Sequence, residues 1–133
     1  MTQSVVSFVV PAHNEEPLLA ATLQAIHGAA AGCGIEYEII VADDASTDRT
    51  AHVAADLGAR VVSVQHRQIS ATRNSGARAA SGDVLVFVDA DTEVNEAVVR
   101  AAVTAVQQGA VGGGCGFRFD GVLPLYGRCL QLL

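Results

Sequence analysis

Residues 83–91 read Asp-Val-Leu-Val-Phe-Val-Asp-Ala-Asp, with five consecutive apolar side chains and an aspartate pair directly after them. A short apolar run without alternation is typical of a strand that is buried on both faces of a parallel sheet. Three further strand-like segments precede it, at residues 5–10, 35–42 and 60–64. Segments with helical spacing separate all four. This order predicts an α/β fold, with a mostly parallel sheet and helices on both faces.

The boundaries follow from periodicity and from helix-breaking residues. Pro11 is predicted to end the first strand, because proline cannot donate a hydrogen bond to a ladder. Residues 110–119 begin like a fifth strand that a glycine cluster interrupts. The predicted helices, each with apolar residues on one face, cover residues 16–30, 48–57, 69–80 and 94–108.

Composition limits the class of protein. The 133 residues are 50% hydrophobic and carry a net charge of -6, so we expect one globular domain over residues 1–133 and no nucleic-acid partner. The three cysteines are at Cys33, Cys115 and Cys129, with no metal-ligand spacing, and are typical of reduced thiols. With no signal peptide or membrane span in the sequence, we expect a cytoplasmic protein.

Polar residues concentrate where the predicted strands end. Asn14 and Glu15 follow the first strand, Asp43 and Asp44 the second, and residues 89–91 the fourth. In open α/β sheets, ligands bind beyond the carboxyl ends of the strands. Three acidic clusters at one edge repel one another unless a positive group lies between them. We therefore expect a cation or a cationic side chain at this edge.

Asp89 and Asp91 are the most specific feature. Residues i and i+2 of an extended chain project to the same side, so both carboxylates are able to hold one Mg²⁺ or Mn²⁺ ion. Such an ion binds diphosphate oxygens and stabilises charge on a leaving group. The alternative is a solvated turn in which Asp91 or Thr92 caps the next helix.

The other polar residues each allow a structural and a functional interpretation. A carboxylate at Asp43 or Asp44 could accept the imide N–H of uracil or another nucleoside donor, or it could form a turn. Glu15 could reach a nucleoside, or interact with a helix N-terminus. Arg73 could neutralise a diphosphate, or be a surface arginine.

As a set, these motifs resemble the family-two glycosyltransferases, which have the GT-A fold. The resemblance covers about residues 5–115. The matching segments are VVPAHNEE at 9–16, IIVADDASTDRT at 39–50, ATRNSG at 71–76, ASGD at 80–83 and VFVDADT at 86–92.

The resemblance implies a site for a nucleoside diphosphate sugar. The implied binding residues are Pro11, Asn14, Glu15, Asp43, Asp44, Arg73, Asp89, Ala90 and Asp91. Of the aspartate pair, Asp43 is favoured for contact with the base. Asp89 and Asp91 form the D-x-D metal motif for Mn²⁺ or Mg²⁺, with Asp91 the more direct ligand. The implied reaction is a metal-dependent sugar transfer to an acceptor hydroxyl, typically with inversion.

The sequence departs from the family after the D-x-D motif. Inverting transfer needs a catalytic base, but Asp120 is the only acidic residue after Glu96 and lies in no recognisable base motif. Residues 122–133 form an apolar tail without a charged stop. We therefore expect a C-terminally truncated glycosyltransferase whose catalytic base and acceptor are unknown. Further expectations are a homodimer, and association with the cytoplasmic membrane face only through a longer parent chain.

Three alternatives remain open. The first is a donor-binding module without catalysis of its own. The second is a phosphohydrolase of the haloacid dehalogenase type, in which Asp89 would be the nucleophile. That class needs Thr or Val where Glu93 stands here. The third is a dinucleotide-binding oxidoreductase, although the glycines near residue 113 do not link a first strand to a helix.

Overall fold

The computed structural model describes residues 4–115. All strand pairs of its four-stranded sheet are parallel, and the strand order is β3-β2-β1-β4. This architecture confirms the predicted α/β fold. The elements in chain order are β1 (Val5–Ala12), α1 (Glu16–Cys33), β2 (Glu36–Asp44), α2 (Thr50–Asp56), β3 (Arg60–Val64), α3 (Ile69–Ala79), β4 (Val84–Phe87) and α4 (Glu96–Gln107).

Strand β1 continues through Pro11, where the sequence predicted its end. The backbone oxygen of Val9 accepts a hydrogen bond from the N–H of Val88. The backbone N–H and C=O groups of the odd-numbered residues of β1 therefore point toward β4. The last β1–β4 pair is Val9 with Phe87, and Pro11 lies beyond it. Because no β4 partner stands opposite Pro11, its missing N–H removes no ladder bond.

Two other predicted strand boundaries differ from those in the structure. Strand β2 extends to Asp44, which pairs with Val64 of β3, so the aspartate pair belongs to the sheet and not to the loop after it. The predicted fifth strand does not form over residues 110–115, which are irregular and include three consecutive glycines. Glycine has no side chain to pack and weakens a strand. The remainder of that prediction, residues 116–119, lies outside the described residues.

The helices lie on both faces of the sheet because the strand order reverses. The chain moves from β1 to β2 to β3, then returns across the sheet to place β4 on the other side of β1. Right-handed crossovers require α1 and α2 on one face and α3 on the opposite face. The carboxyl ends of β1 and β4 flank this switch point, where α/β sheets bind ligands.

The main core lies between α1 and the sheet. Phe8 and Val10 of β1 pack there with Leu19, Leu23 and Ile26 of α1, and each of these five side chains is fully buried. Helix α4 packs against α1 on the same face and buries Val99 and Val103. Within residues 4–115, no helix combines the length and the hydropathy needed to cross a bilayer.

Gly76 determines how closely α3 approaches the sheet. A Cβ at this position would lie 2.5 Å from Cγ1 of Val9. We expect Gly76→Ala to displace α3 and to lower the free energy of unfolding by about 1–3 kcal/mol. In α1, Gly28 is exposed and a Cβ there would have no neighbour within 4 Å. Gly28→Ala should therefore raise stability by about 0.5–1 kcal/mol. Urea unfolding measures the free energy of unfolding of each variant. If both substitutions raised it or both lowered it, the close packing of α3 on the sheet would be contradicted.

Candidate functional site

The loops after β1 and β2 are bonded to each other at the carboxyl edge of the sheet. Asn14 adopts a left-handed φ of 51°, which asparagine tolerates better than most residues. Its Oδ1 accepts the N–H of Thr47 at 2.7 Å, and its own N–H donates to Oγ of Ser46 at 2.9 Å. The side chain of Asn14 thus holds the loop after β2 in place.

Asp48 ties together the N-terminal ends of two helices. Its carboxylate accepts the N–H of Glu16 at 3.2 Å, the N–H of Thr50 at 3.0 Å and the hydroxyl of Thr50. The hydroxyl bond from Thr50, with these backbone bonds, lowers the pKa of Asp48 in spite of its partial burial. Asp48 therefore has a structural role in connecting α1 and α2.

Asp44 is buried at the end of β2, where it is 5% exposed. One carboxylate oxygen accepts the N–H of His66 at 2.8 Å, and the other accepts the hydroxyl of Thr72 at 3.0 Å. Burial raises the pKa of Asp44, but hydrogen bonds from the backbone of Arg67, His66 and Gln68 and from Thr72 together lower it below its ordinary value. Asp44 is therefore an ionised carboxylate that accepts hydrogen bonds only.

A cavity of about 360 Å³ opens beside Asp44. Residues 11–13 and Glu15 form one wall, and residues 67–69 and Thr72 form the opposite wall. Pro11 and Glu15, two of the residues predicted to bind a nucleotide, thus line this cavity. His13 donates from Nδ1 to the backbone oxygen of Asp44 at 2.6 Å, and this bond links one wall of the cavity to the end of β2.

The two adjacent aspartates of β2 have different surroundings. Successive side chains of a strand point to opposite faces, so Asp43 and Asp44 cannot share one. Only Asp44 is among the residues that line the cavity. Asp43 is 7% exposed and accepts the N–H of Ser46 at 3.3 Å, which stabilises the turn after β2. The sequence favoured Asp43 for contact with a base, whereas the cavity presents Asp44.

The D-x-D segment lies next to α3 and is anchored by α1. Asp89 accepts a hydrogen bond from the guanidinium of Arg73 at 2.7 Å, and both side chains are partly exposed. Ala90 is buried, and its carbonyl oxygen accepts the hydroxyl of Thr22 at 2.6 Å. Asp91 is exposed. Thr22 was not predicted, although a threonine within the apolar face of α1 was a signal for it.

Arg73 is the cationic side chain that the acidic edge was expected to need. Its ion pair with Asp89 connects the ATRNSG motif, which lies in α3, to the D-x-D segment. Its Nε is buried and finds no hydrogen-bond partner among residues 4–115. A buried guanidinium N–H without a partner is a group that a bound anion would satisfy.

The surroundings of Glu15 show that the acidic cluster after β1 lies near the acidic cluster after β4. Burial raises the pKa of Glu15, and the negative charges of Asp91 and Asp48 raise it further, while His13 opposes them. In the described part of the chain no group of three or more His, Cys, Asp or Glu side chains is arranged to hold a metal ion. Asp89 and Asp91 lie in a turn closed by a hydrogen bond from the N–H of Thr92 to the backbone oxygen of Asp89 at 3.0 Å, and not in the extended chain that the sequence predicted. A pair of carboxylates is still a number that Mg²⁺ takes when phosphates and water complete its coordination.

Removal of the Asp91 charge should lower the pKa of Glu15. Asp91→Asn eliminates the negative charge that disfavours ionisation of Glu15 most strongly. NMR titration of the Glu15 carboxyl resonance measures the change. Glu93→Gln is the matched control, because Glu93 is an exposed carboxylate of the same loop that does not act on Glu15. Equal shifts in the two variants would show that Asp91 does not lie closer to Glu15 than Glu93 does.

Comparisons with known proteins identify relatives of the chain. The family model described as Glycosyl transferase family 2 matches residues 7–128. The 4,4'-diaponeurosporenoate glycosyltransferase of Staphylococcus haemolyticus is 35% identical over 112 residues, which are 75% of this chain and 28% of that protein. The dolichol-phosphate mannosyltransferase of Pyrococcus furiosus is 32% identical over 110 residues, 79% of this chain and 31% of that protein. The chain thus spans about a third of the length of these relatives.

Two solved structures share its fold. Glucosyl-3-phosphoglycerate synthase from Mycobacterium tuberculosis, in complex with Mn²⁺, UDP and glucosyl-3-phosphoglycerate, superimposes with a TM-score of 0.63 at 31% identity, over 77% of this chain and 39% of that one. A mannosyltransferase from Pyrobaculum calidifontis, in complex with GDP-Man and Mn²⁺, gives a TM-score of 0.66 at 28% identity, over 77% and 32%. The predicted GT-A type of α/β fold is confirmed, and the phosphohydrolase and dinucleotide-binding alternatives lose their support.

Proposed function

Because the chain belongs to glycosyl transferase family 2, we propose that it binds a nucleoside diphosphate sugar and serves in transfer of the sugar to an acceptor hydroxyl. Its relatives are glycosyltransferases by name. The single observation that carries the proposal is the ion pair between Arg73 and Asp89, because Arg73 directly follows Thr72, which lines the cavity together with Asp44 and Glu15. A base pocket and a diphosphate site thereby adjoin at the switch point of the sheet.

The nucleoside would occupy the cavity, with Pro11 and Glu15 on one side. The carboxylate of Asp44 would face the base, and its negative charge, which hydrogen bonds from His66 and Thr72 hold in place, would favour a donor group there. We assign this contact to Asp44 in place of Asp43, because only Asp44 lines the cavity. Asn14 would support the pocket through its bond to Thr47 in the loop after β2, and His13 through its bond to the backbone oxygen of Asp44 at the end of β2.

The diphosphate would lie between Arg73 and the D-x-D segment. Asp89 and Asp91 would hold Mn²⁺ or Mg²⁺, and the ion, when bound, neutralises diphosphate oxygens and stabilises the departing nucleotide. Arg73 would donate to a phosphate oxygen, including from the Nε that has no partner among the described residues. Thr22 keeps the backbone of Ala90 in place, and with it the carboxylates on either side. The two solved relatives that contain Mn²⁺ support a metal-dependent site.

Fewer observations bear on catalysis by this chain alone than on donor binding. Inverting transfer requires a base that takes the proton of the acceptor hydroxyl, and no described side chain is assigned that role. The second candidate function is therefore donor binding without transfer, because no base is assigned among the described residues. The acceptor, a homodimer and action at the cytoplasmic membrane face through a longer parent chain stay predictions.

Calorimetry with UDP, GDP and dTDP, each with and without Mn²⁺, tests the proposal. We expect at least one diphosphate to bind, with an affinity that Mn²⁺ raises, because the ion screens the carboxylates from the phosphates. Failure of all three to bind in the presence of Mn²⁺ would overturn the proposal. Assays of donor hydrolysis and sugar transfer then separate an enzyme from a binding module, since only an enzyme consumes the donor.

A further inference from the structure

Thr22 of α1 is a buried polar residue whose hydroxyl reaches a different part of the fold. It is 1% exposed and lies about two helical turns after Glu15, which precedes α1 and lines the cavity. Its hydroxyl lies 2.6 Å from the backbone oxygen of Ala90 and 3.2 Å from that of Leu18 in its own helix. Because a hydroxyl has one proton to donate, the shorter bond, to the D-x-D segment, takes it.

The carbonyl of Ala90 needs this bond. Ala90 is 4% exposed, and among residues 4–115 Thr22 is the one side chain that donates to its oxygen. A buried carbonyl that loses its donor is unfavourable. Without the hydroxyl of Thr22, the turn would therefore move until the oxygen of Ala90 reached water. The bond keeps the D-x-D segment against α1.

The two carboxylates of the D-x-D segment are held in different ways. Asp89 pairs with Arg73 at 2.7 Å, and the residue before it, Val88, donates its backbone N–H to β1 at 3.0 Å. Asp91 is exposed, and its carboxylate has one long contact within residues 4–115, at 3.4 Å from the hydroxyl of the next residue. The position of the Asp91 carboxylate therefore depends on the backbone that carries it.

Thr22 acts on that backbone. The oxygen of Ala90 belongs to the planar peptide unit that joins Ala90 to Asp91, so a bond to this oxygen orients the whole unit. Helix α1 is itself fixed on the sheet by fully buried side chains such as Leu19. The same helix thus carries Glu15 at the cavity and, two turns later, the hydroxyl that holds the segment of Asp91.

We propose that Thr22 is a positioning residue that couples metal binding to nucleotide binding through its bond to Ala90. This inference rests on the proposed function. A metal ion at Asp89 and Asp91 raises nucleotide affinity only where the ion and the phosphates of the nucleotide meet. Helix α1 sets that geometry, because it carries both a wall of the cavity and the hydroxyl that holds the D-x-D segment. Loss of a hydrogen bond that orients metal ligands lowers metal affinity by about 10- to 100-fold.

The alternative role for Thr22 is confined to α1. In that role its hydroxyl donates to Leu18, as threonine often does to the carbonyl four residues earlier, and only satisfies a buried polar group. Removal of the hydroxyl would then change the free energy of unfolding and leave the response to Mn²⁺ as it is. The positioning role predicts that the response to Mn²⁺ is lost with the hydroxyl and is retained when serine supplies one.

Thr22→Val and Thr22→Ser separate the two roles. Valine has nearly the shape of threonine without the hydroxyl, whereas serine keeps the hydroxyl and lacks the methyl group. Calorimetry with UDP, GDP and dTDP, with and without Mn²⁺, measures the factor by which Mn²⁺ raises affinity. We expect Thr22→Val to reduce this factor by about ten-fold or more, with the affinity in the absence of Mn²⁺ unchanged. Thr22→Ser should retain the factor of the wild type.

The EPR signal of free Mn²⁺ measures the same coupling from the side of the metal, because the effect of nucleotide on metal affinity equals the effect of metal on nucleotide affinity. Solutions of Mn²⁺ and the diphosphate without protein supply the blank. Thermal unfolding verifies that the variants are folded. If valine does not fit, Thr22→Ala replaces it, since alanine lacks the hydroxyl and adds no atom.

Ile26→Val is the matched control. Ile26 is fully buried in the apolar core about one turn after Thr22, so its truncation lowers stability without removing a polar contact. It should keep the full response to Mn²⁺. An unchanged response in Thr22→Val, an equal loss in Thr22→Ser or the same loss in Ile26→Val would overturn the inference while leaving donor binding intact. A wild type that binds no diphosphate in Mn²⁺ would instead count against the proposed function.

Discussion

Asp91→Ala is expected to remove metal-dependent binding of the nucleoside diphosphate, with affinity in the presence of Mn²⁺ falling by about 100-fold or more. Asp91 is exposed at the end of the D-x-D segment and supplies half of its carboxylates. With Asp89 alone, which also pairs with Arg73, the site would hold the ion weakly. Calorimetry with and without Mn²⁺, in the wild type and the variant, measures the loss.

The matched control for this experiment is Glu93→Ala. Glu93 is an exposed carboxylate in the same loop, two residues after Asp91, so it changes the net charge equally. We expect Glu93→Ala to retain the response to Mn²⁺ within about two-fold, because an exposed charge that does not ligate the ion acts only through solvent. Metal-dependent binding that survives Asp91→Ala would remove the D-x-D assignment.

The fold was predictable because its signals are local. Four apolar strands alternate with helical segments, and handedness then restricts how the strands can be ordered. Two of the boundary errors arose where a strand includes residues that are locally unfavourable for it, at Pro11 in β1 and at Asp43 and Asp44 in β2. Whether a strand continues there depends on what lies opposite it, which is information that the local sequence does not contain. Tertiary pairing decided both cases.

The different surroundings of Asp43 and Asp44 could not be predicted for the same reason. With β2 ending at Ala42, both aspartates belong to a loop, and neither has a defined face. Once β2 extends to Asp44, alternation separates them, and Asp44 lines the cavity while Asp43 stabilises a turn. A shift of two residues in a strand boundary thus changes which carboxylate is offered to a ligand.

Residues that act across long sequence separations were also missed. The hydroxyl of Thr22 bonds to the carbonyl of Ala90, 68 residues away. The left-handed conformation of Arg67 depends on a carboxylate 23 residues earlier in the chain, at Asp44. The local sequence around Thr22 or Arg67 does not indicate the distant residue that each one contacts. By contrast, Asp89 and Arg73 were found because each belongs to a recognisable motif, and the structure brings these motifs together.

Asp44→Asn should lower the free energy of unfolding by about 2–3 kcal/mol at neutral pH. Asparagine has nearly the same shape but replaces one charged acceptor by an amide that donates, which weakens the bonds from His66 and Thr72. Hydrogen bonds keep the folded pKa of Asp44 below the ordinary aspartate value of 3.8. The stabilisation is therefore complete above that value and is lost as the pH falls through the folded pKa.

The test is the difference in stability between the wild type and Asp44→Asn, from urea unfolding at pH 7, 5, 4 and 3. Asp48, whose pKa is also lowered, contributes to the pH dependence of both proteins, so its effect cancels in the difference. We expect the difference to be largest at pH 7 and to shrink in acid, because protonated Asp44 is as neutral as asparagine. A constant difference would contradict the ionised state on which base recognition depends. Asp43→Asn is the matched control and should cost less at pH 7, since Asp43 accepts a single long bond from Ser46.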